Sequence, residues 1–272
     1  MFEILFLGTS AAAPSTRRGL SASIVEHNEY QFLVDCGEGT QRQILKSRFR
    51  FSGQVRILLT HGDLDHILGL GGLISTLMYE EAISEINIFG GQSAITRVQK
   101  LLHGVVLRGN HSPMPLALCK IDPGTFFRSD DFSVTAFRVT HHGNNNLGYI
   151  FETKTRCSKD VLGSGQIGTK LVVVGDASRT DNILEFCRDA DALVIESTYL
   201  NEEADMAKQR SHLTAKRAAE LAKEAGVNRL ILTHLSRRYR GYEALSEAQA
   251  IFPETVVAQD FDRFRIKRAN NR

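Results

Sequence analysis

No apolar run in this 272-residue chain approaches the roughly 18–20 residues that span a membrane, so no membrane-crossing helix is expected. Cysteine is scarce and scattered. Cys36, Cys119, Cys157 and Cys187 form no Cys-x-x-Cys pair, which argues for reduced thiols and against a disulfide framework or a zinc knuckle. A dominant charge sign is also lacking, with 33 Lys and Arg against 31 Asp and Glu for a net +2. Nucleic-acid binding then depends on local patches, not on the sum. The start, Met1 to Leu5, enters a strand pattern directly, without the basic stretch and longer apolar region of a signal peptide. A cytoplasmic protein is expected. There is no internal repeat and no low-complexity segment.

What is present is an ordinary globular composition, 42% hydrophobic and 24% charged, expected to form a single domain over 1–272. Strands are expected at Glu3 to Leu7, Ser23 to Glu26, Gln31 to Val34, Val55 to Leu59, Ile86 to Phe89, Phe132 to Thr140, Tyr149 to Glu152, Leu171 to Val174, Ala192 to Ile195 and Arg229 to Thr233. A last strand or two lie between Val256 and Ile266. Helices are expected at Gln41 to Lys46, in the later part of Ile67 to Tyr79, and at Ala94 to Leu102, Thr180 to Arg188 and Thr214 to Ala225. Residues 103–131 read as loop with a strand or two.

The chemistry concentrates in Thr60-His61-Gly62-Asp63-Leu64-Asp65-His66, between a buried strand and a helix. Imidazoles and carboxylates so placed can converge on zinc or a harder divalent ion. Further strands end at His142, Asp176 and His234. Strand ends on one edge of a sheet are where open α/β folds place sites, and so many coincidences point to one shared centre. The Gly-rich segment Asp35 to Gln41 reads equally well as a plain turn or as part of that site. The basic segments Arg17-Arg18, Arg237 to Arg240 and Arg263 to Arg268 each read, singly, as a solvated face.

The order of these residues resembles the metallo-β-lactamase superfamily motif, His-x-His-x-Asp-His followed by a distant His, Asp and His. Within the superfamily the chain is similar, almost end to end, to ribonuclease Z, the tRNA 3′-end endonuclease. Leu7-Gly8-Thr9-Ser10 with Pro14 and Arg18, Asp35 to Gln43, Gly148-Tyr149, Gly175-Asp176, Glu196-Ser197-Thr198, His212-Leu213-Thr214 and Leu232 to Tyr239 carry the likeness.

The resemblance implies a four-layer αβ/βα sandwich with two divalent ions, Zn foremost and Mn or Mg admitted by Asp63. By position, His61, Asp63 and His142 hold one ion and Asp65, His66 and His234 the other, with Asp176 bridging. It implies hydrolysis of a precursor-tRNA phosphodiester by a hydroxide between the metals. Asp65 orients that nucleophile, and His212, held by Glu196, acts as general acid. Arg18 is an expected RNA contact, and the role of position 178, Ser178, is left open. A homodimer is implied. The alternative is a two-metal hydrolase of a smaller or non-tRNA phosphodiester.

Three departures stand out. Asp63 replaces the second motif histidine. The family's tRNA-gripping arm is missing between Tyr149 and Asp176, where Asp160-Val161-Leu162-Gly163 resembles the stretch that follows it. Gly19 and Gly71 replace a usual Asn and Pro.

Overall fold

The computed structural model describes residues 1–143, 145–154 and 168–268. Cys157 and the Asp160 to Gly163 stretch lie outside these residues. Two seven-stranded sheets are formed among them. The first contains β1 (Phe2–Gly8), β2 (Ala22–His27), β3 (Tyr30–Val34), β4 (Gly53–Leu59), β5 (Ile83–Gly90) and β6 (Leu116–Lys120). The second contains β7 (Gly124–Arg128), β8 (Phe132–Val139), β9 (Asn146–Thr153), β10 (Lys170–Val173), β11 (Ala192–Glu196), β12 (Leu230–Thr233) and β13 (Thr255–Val257). The last strand, β14 (Arg263–Ile266), crosses back to pair with β1 on the edge of the first sheet.

The period-2 geometry of a strand explains how one chain fills three layers of core. Along β1, Phe2, Ile4 and Phe6 join the apolar layer between the sheets, while Leu5 and Leu7 join the layer beneath the helices. The helices on the first sheet are α1 (Thr40–Ser47), α2 (Leu64–Ile67), α3 (Leu70–Leu77) and α4 (Gln92–Leu101). On the second they are α5 (Leu184–Cys187), α6 (Ala204–Gln209), α7 (Ala215–Glu224) and α8 (Gly241–Gln249). The result is the four-layer αβ/βα sandwich expected, with both sheets covered on both faces.

One tie between the sheets sits below the site. The buried Tyr149 on β9 donates its hydroxyl to the carbonyl of Leu59 on β4 at 2.6 Å. Parallel pairing of β3 to β6 and of β10 to β13 puts their C-terminal ends on one edge of each sheet.

The expected helix at Thr180 to Arg188 is shorter than its pattern. Thr180, Asp181 and Asn182 are poor helix formers. They make a turn instead, closed by Ile183 N–H on the Thr180 carbonyl, and only Leu184–Cys187 is helical. α6 and α8 lie where no helix was expected. Residues 102–131 hold a single π-helical turn, Leu102–Val106, and the two strands β6 and β7.

The connection from β9 to β10 covers only residues 154–169. Its two ends meet: Thr153 N–H bonds Thr169 O at 3.0 Å, and Thr169 N–H bonds Thr153 Oγ1 at 2.7 Å. This sets a ceiling on any arm at that position.

Candidate metal centre

His61, Asp63, Asp65 and His66 follow β4. Asp176 follows β10, Glu196 ends β11 and His234 follows β12. All reach the same sheet edge. The carboxylate of the buried Asp176 stands at the middle and its two oxygens face different groups. Oδ2 lies 3.7 Å from His61 Nε2 and 3.7 Å from His141 Nε2. Oδ1 lies 3.5 Å from His66 Nε2 and 3.4 Å from His234 Nε2. Each half gains a second carboxylate. Asp63 Oδ2 is 3.6 Å from His61 Nε2 and 3.9 Å from His141 Nε2. Asp65 Oδ2 is 3.3 Å from His234 Nε2 and 3.7 Å from His66 Nε2.

These spacings fit metal ligation better than hydrogen bonding. Ligand atoms about 2.1 Å from a tetrahedral ion lie about 3.4 Å from one another. His61 Nε2, His66 Nε2 and Asp176 Oδ1 are buried without a hydrogen-bond partner, a costly state unless a cation satisfies them. His61, Asp63 and His141 can hold an ion together, as can Asp65, His66 and His234.

Each histidine is aimed by its other nitrogen. His66 Nδ1 bonds Asp35 Oδ2 at 2.8 Å and His61 Nδ1 lies 3.0 Å from Thr60 Oγ1. Thr60 donates both its N–H and its hydroxyl to Asp35, each at 2.8 Å. His141 Nδ1–H donates to Ser211 O at 2.7 Å, which leaves Nε2 as the free lone pair. His234 Nδ1 is 2.9 Å from Thr198 Oγ1. Asp35 and His234 both adopt positive φ, 60° and 54°, a conformation rare for non-glycine residues and found here where the chain must turn its side chain into the centre.

The Gly-rich turn therefore belongs to the site: Asp35 orients His66, and Cys36 N–H bonds His66 O at 2.7 Å. A Cβ on Gly37 would stand 2.3 Å from the Asp65 carbonyl, so only glycine allows this approach.

One expected ligand is corrected. His142 is exposed, with Nε2 3.0 Å from Arg210 O, and its neighbour His141 enters the centre. Strand alternation explains the choice. Phe137 and Val139 face the helix-side core of the second sheet, Arg138 and Thr140 lie on the opposite face and are exposed at this end of β8, and His141 continues the parity of Phe137 and Val139.

Asp63 is the most exposed of the grouped side chains. Its side chain is 45% exposed at the rim, and Arg97 of α4 bonds its Oδ1 at 3.2 Å. Arg18 is engaged in the fold, donating to Thr9 Oγ1 at 2.6 Å and Ala258 O at 2.7 Å. Ser178 donates its hydroxyl to Thr140 O at 2.9 Å. Gly19 gives its N–H to Asp260 Oδ2 at 2.6 Å.

His212 stands beside the centre, its Nδ1 3.8 Å from Asp176 Oδ2 and 3.1 Å from both oxygens of the fully buried Glu196. Glu196 is itself held by Ala177 N–H at 2.7 Å and the Thr198 hydroxyl at 2.5 Å. Thr198, touching Glu196, His234 and His212 at once, is a functional residue that motif reading alone did not single out.

Burial opposes charge on His212, yet Glu196, with Asp176 and Asp65 beyond it, raises it to about 9. Burial likewise opposes ionisation of Asp176, but His234, His66 and His61 hold it well below the usual carboxylate range. Asp65 is lowered against its burial by His234 and His66. Burial pushes His141 down. The group is built to keep its carboxylates ionised.

A model of the beta-lactamase superfamily domain matches residues 30–235. Ribonuclease Z of Bradyrhizobium sp. strain ORS 278 is 37% identical over 302 positions, taking in 98% of this chain and 100% of the relative. Ribonuclease Z of Bradyrhizobium diazoefficiens is 37% identical over 298 positions, with 96% and 99% covered. Human tRNase Z, short form, superposes with a TM-score of 0.75 at 28% identity, covering 97% of this chain and 99% of that one. The chain belongs to the beta-lactamase superfamily and, within it, to the ribonuclease Z family. The first alignment, at 302 positions, is longer than the 272-residue chain, so that relative carries residues this chain lacks.

Proposed function

We infer that the protein is a metal-dependent endoribonuclease that hydrolyses a phosphodiester at the 3′ end of precursor tRNA and so removes the 3′ trailer. Family membership supports this reading. The observation that carries it is the Asp176 carboxylate standing between two His/Asp groups, with His212 on Glu196 at its side. The unpartnered buried atoms of His61, His66 and Asp176 suit bound cations. His61, Asp63 and His141 would hold one, Asp65, His66 and His234 the other, and Asp176 both. When bound, such ions supply a nucleophile at neutral pH and neutralise charge on the phosphoryl oxygens. Four imidazoles suit zinc, and the carboxylate of Asp63 opens the first position to Mn²⁺ or Mg²⁺.

The chain's own groups do the rest. His212 has Nδ1 committed to Glu196, so Nε2 delivers the proton to the departing 3′-oxygen. With its pKa raised to about 9, the ring carries that proton at neutral pH. Asp65, its Oδ2 fixed by Ala12 N–H at 2.9 Å, orients the attacking oxygen. The products are a tRNA with a free 3′-hydroxyl and a 5′-phosphorylated trailer. The reading takes the chain as one domain, cytoplasmic and homodimeric. No helix among the described residues is long and apolar enough to cross a membrane.

The short β9–β10 connection favours a second reading of the same chemistry, on smaller or less structured substrates. Metal-loaded protein is incubated with a trailer-bearing pre-tRNA, an isolated acceptor stem with the same trailer, and an aryl phosphodiester. The expected result is cleavage of both RNAs at comparable efficiency, abolished by chelation. Hydrolysis of the aryl ester alone overturns the endoribonuclease reading. A large preference for intact pre-tRNA means that another element replaces the arm. Sedimentation velocity tests the homodimer.

A further inference from the structure

Two of the three basic segments, distant in sequence, meet in space. Arg17 and Arg18 follow β1, and Arg237 and Arg240 follow β12. With Tyr239 and Tyr242 they border a cavity of about 590 Å³, within the size range of pockets that hold small organic ligands. No Asp or Glu is among its lining residues. The third segment behaves differently: Arg263 and Arg265 are neutralised by Glu3, at 2.9 and 3.1 Å.

Not all of the lining is available to a ligand. Arg18 is spent on Thr9 and Ala258 O, and the Tyr239 hydroxyl on Glu203. Arg17 and Arg237 are exposed, and their guanidinium groups have no hydrogen-bond or ion-pair partner among the described residues. Arg240 is exposed, and Tyr242 is 70% exposed. A free aromatic face among arginines is the combination that holds a nucleobase and its phosphate. Both walls connect to the metal centre. Ser10 bridges to Leu235, next to His234, and Ala12 N–H bonds Asp65.

We propose that this cavity is a subsite for an unpaired ribonucleotide flanking the scissile phosphodiester, with its phosphate on Arg17, Arg237 and Arg240 and its base on Tyr242. It rests on the endoribonuclease reading and assigns to Arg17 the contact that the sequence suggests for Arg18. It also gives this chain a grip on RNA close to the chemistry, beside a β9–β10 connection that spans only residues 154–169.

The test is fluorescence anisotropy of the metal-loaded full chain with two short single-stranded RNAs, one beginning with a 5′-phosphate and one ending in a 3′-hydroxyl, as a function of salt. Tyr242→Ala is expected to weaken binding of one of them roughly ten-fold, and Tyr242→Phe to retain it. Arg17→Ala and Arg237→Ala are each expected to lower the slope of log affinity against log salt by about 0.7. Arg265→Ala serves as a charge control expected to leave that slope unchanged. Which RNA responds identifies the strand bound. Wild-type binding that is unaltered by Tyr242→Ala and Arg237→Ala overturns the subsite alone. Wild-type protein that neither binds nor cleaves RNA overturns both the subsite and the function on which it rests.

Discussion

Arg97 reaches from α4 to Oδ1 of Asp63 at 3.2 Å, leaving Oδ2 to face His61 and His141. Its side chain runs over Gly62, where an added Cβ would stand 3.1 Å from Arg97 Cδ. The family's histidine at position 63 is thus replaced by a carboxylate that comes with its own counter-charge. The arginine leaves Asp63 one oxygen to offer a cation and offsets negative charge that would repel a phosphodiester. Arg97→Ala is therefore expected to act with opposite signs. Mn²⁺ affinity should rise and KM for RNA should rise, each by roughly five-fold, about 1 kcal/mol. Metal titration and steady-state kinetics check this. Activity restored to metal-stripped enzyme should be at least as high with Mn²⁺ as with Zn²⁺.

His141 and His142 separate ligand from neighbour. His141→Ala should lower metal content measured by mass spectrometry and weaken affinity by at least 10–100-fold, by loss of an aimed donor. His142→Ala should stay within a few-fold of wild type, since its Nε2 is turned to the Arg210 carbonyl and its ring only flanks that of His141, at 4.7 Å between centroids. Equal losses would return His142 to the centre.

For His212, the leaving group is the probe. His212→Ala should lower RNA cleavage by about 10²–10⁴-fold and leave hydrolysis of an aryl phosphodiester nearly intact, since an aryloxide needs no proton. Glu196→Gln should give a smaller loss in the same pattern, together with an alkaline limb shifted to lower pH. That carboxylate is what raises His212 to about 9 against its burial. Equal losses on both substrates would make His212 a positioning residue.

Much of this centre is legible in the sequence. His61, Asp63, Asp65 and His66 fall in one turn, and Asp176 and His234 each end an apolar strand, so periodicity alone locates them. The His141/His142 choice needed strand parity, which the inward Phe137 and Val139 supply. The partners behind the ligands are harder to see. Asp35 and Thr198 act through side-chain geometry set by tertiary contacts, and a sequence does not show which hydroxyl meets which ring. The short helix α8 begins at Gly241, a poor helix former, and carries only Ala244 and Ala248 as buried residues. Pairing of the basic segments around a cavity depended on the fold.

Away from the site, two carboxylates beside Arg263 carry opposite pH signs. Burial opposes ionisation of Glu3, yet Arg263 and Arg265 lower its pKa overall, whereas burial raises Glu26. A lowered carboxylate adds stability above its ordinary value, about 4.3, and loses it as pH falls through the folded value. A raised one costs stability once ionised, and that cost vanishes below its ordinary value. Glu3→Gln should lower the melting temperature at pH 7 and Glu26→Gln should raise it, each by under about 1 kcal/mol of stability. Both effects should fade by pH 3. Thermal denaturation at the two pH values decides.

The Asp176 carboxylate also has a mechanical consequence. His61, Asp63, Asp65 and His66 come from the first sheet, and His141, Asp176 and His234 from the second, so neither sheet owns a complete coordination set. A cation at this seam is a clasp between two half-molecules that are also tied there by Tyr149 on Leu59 O and by Leu147 N–H on Thr60 O. Its binding energy is then docking energy, about 4 kcal/mol at a thousand-fold excess over Kd. Chelation should accordingly lower the melting temperature and open amide exchange first along β4 and β9, before either sheet comes apart from within.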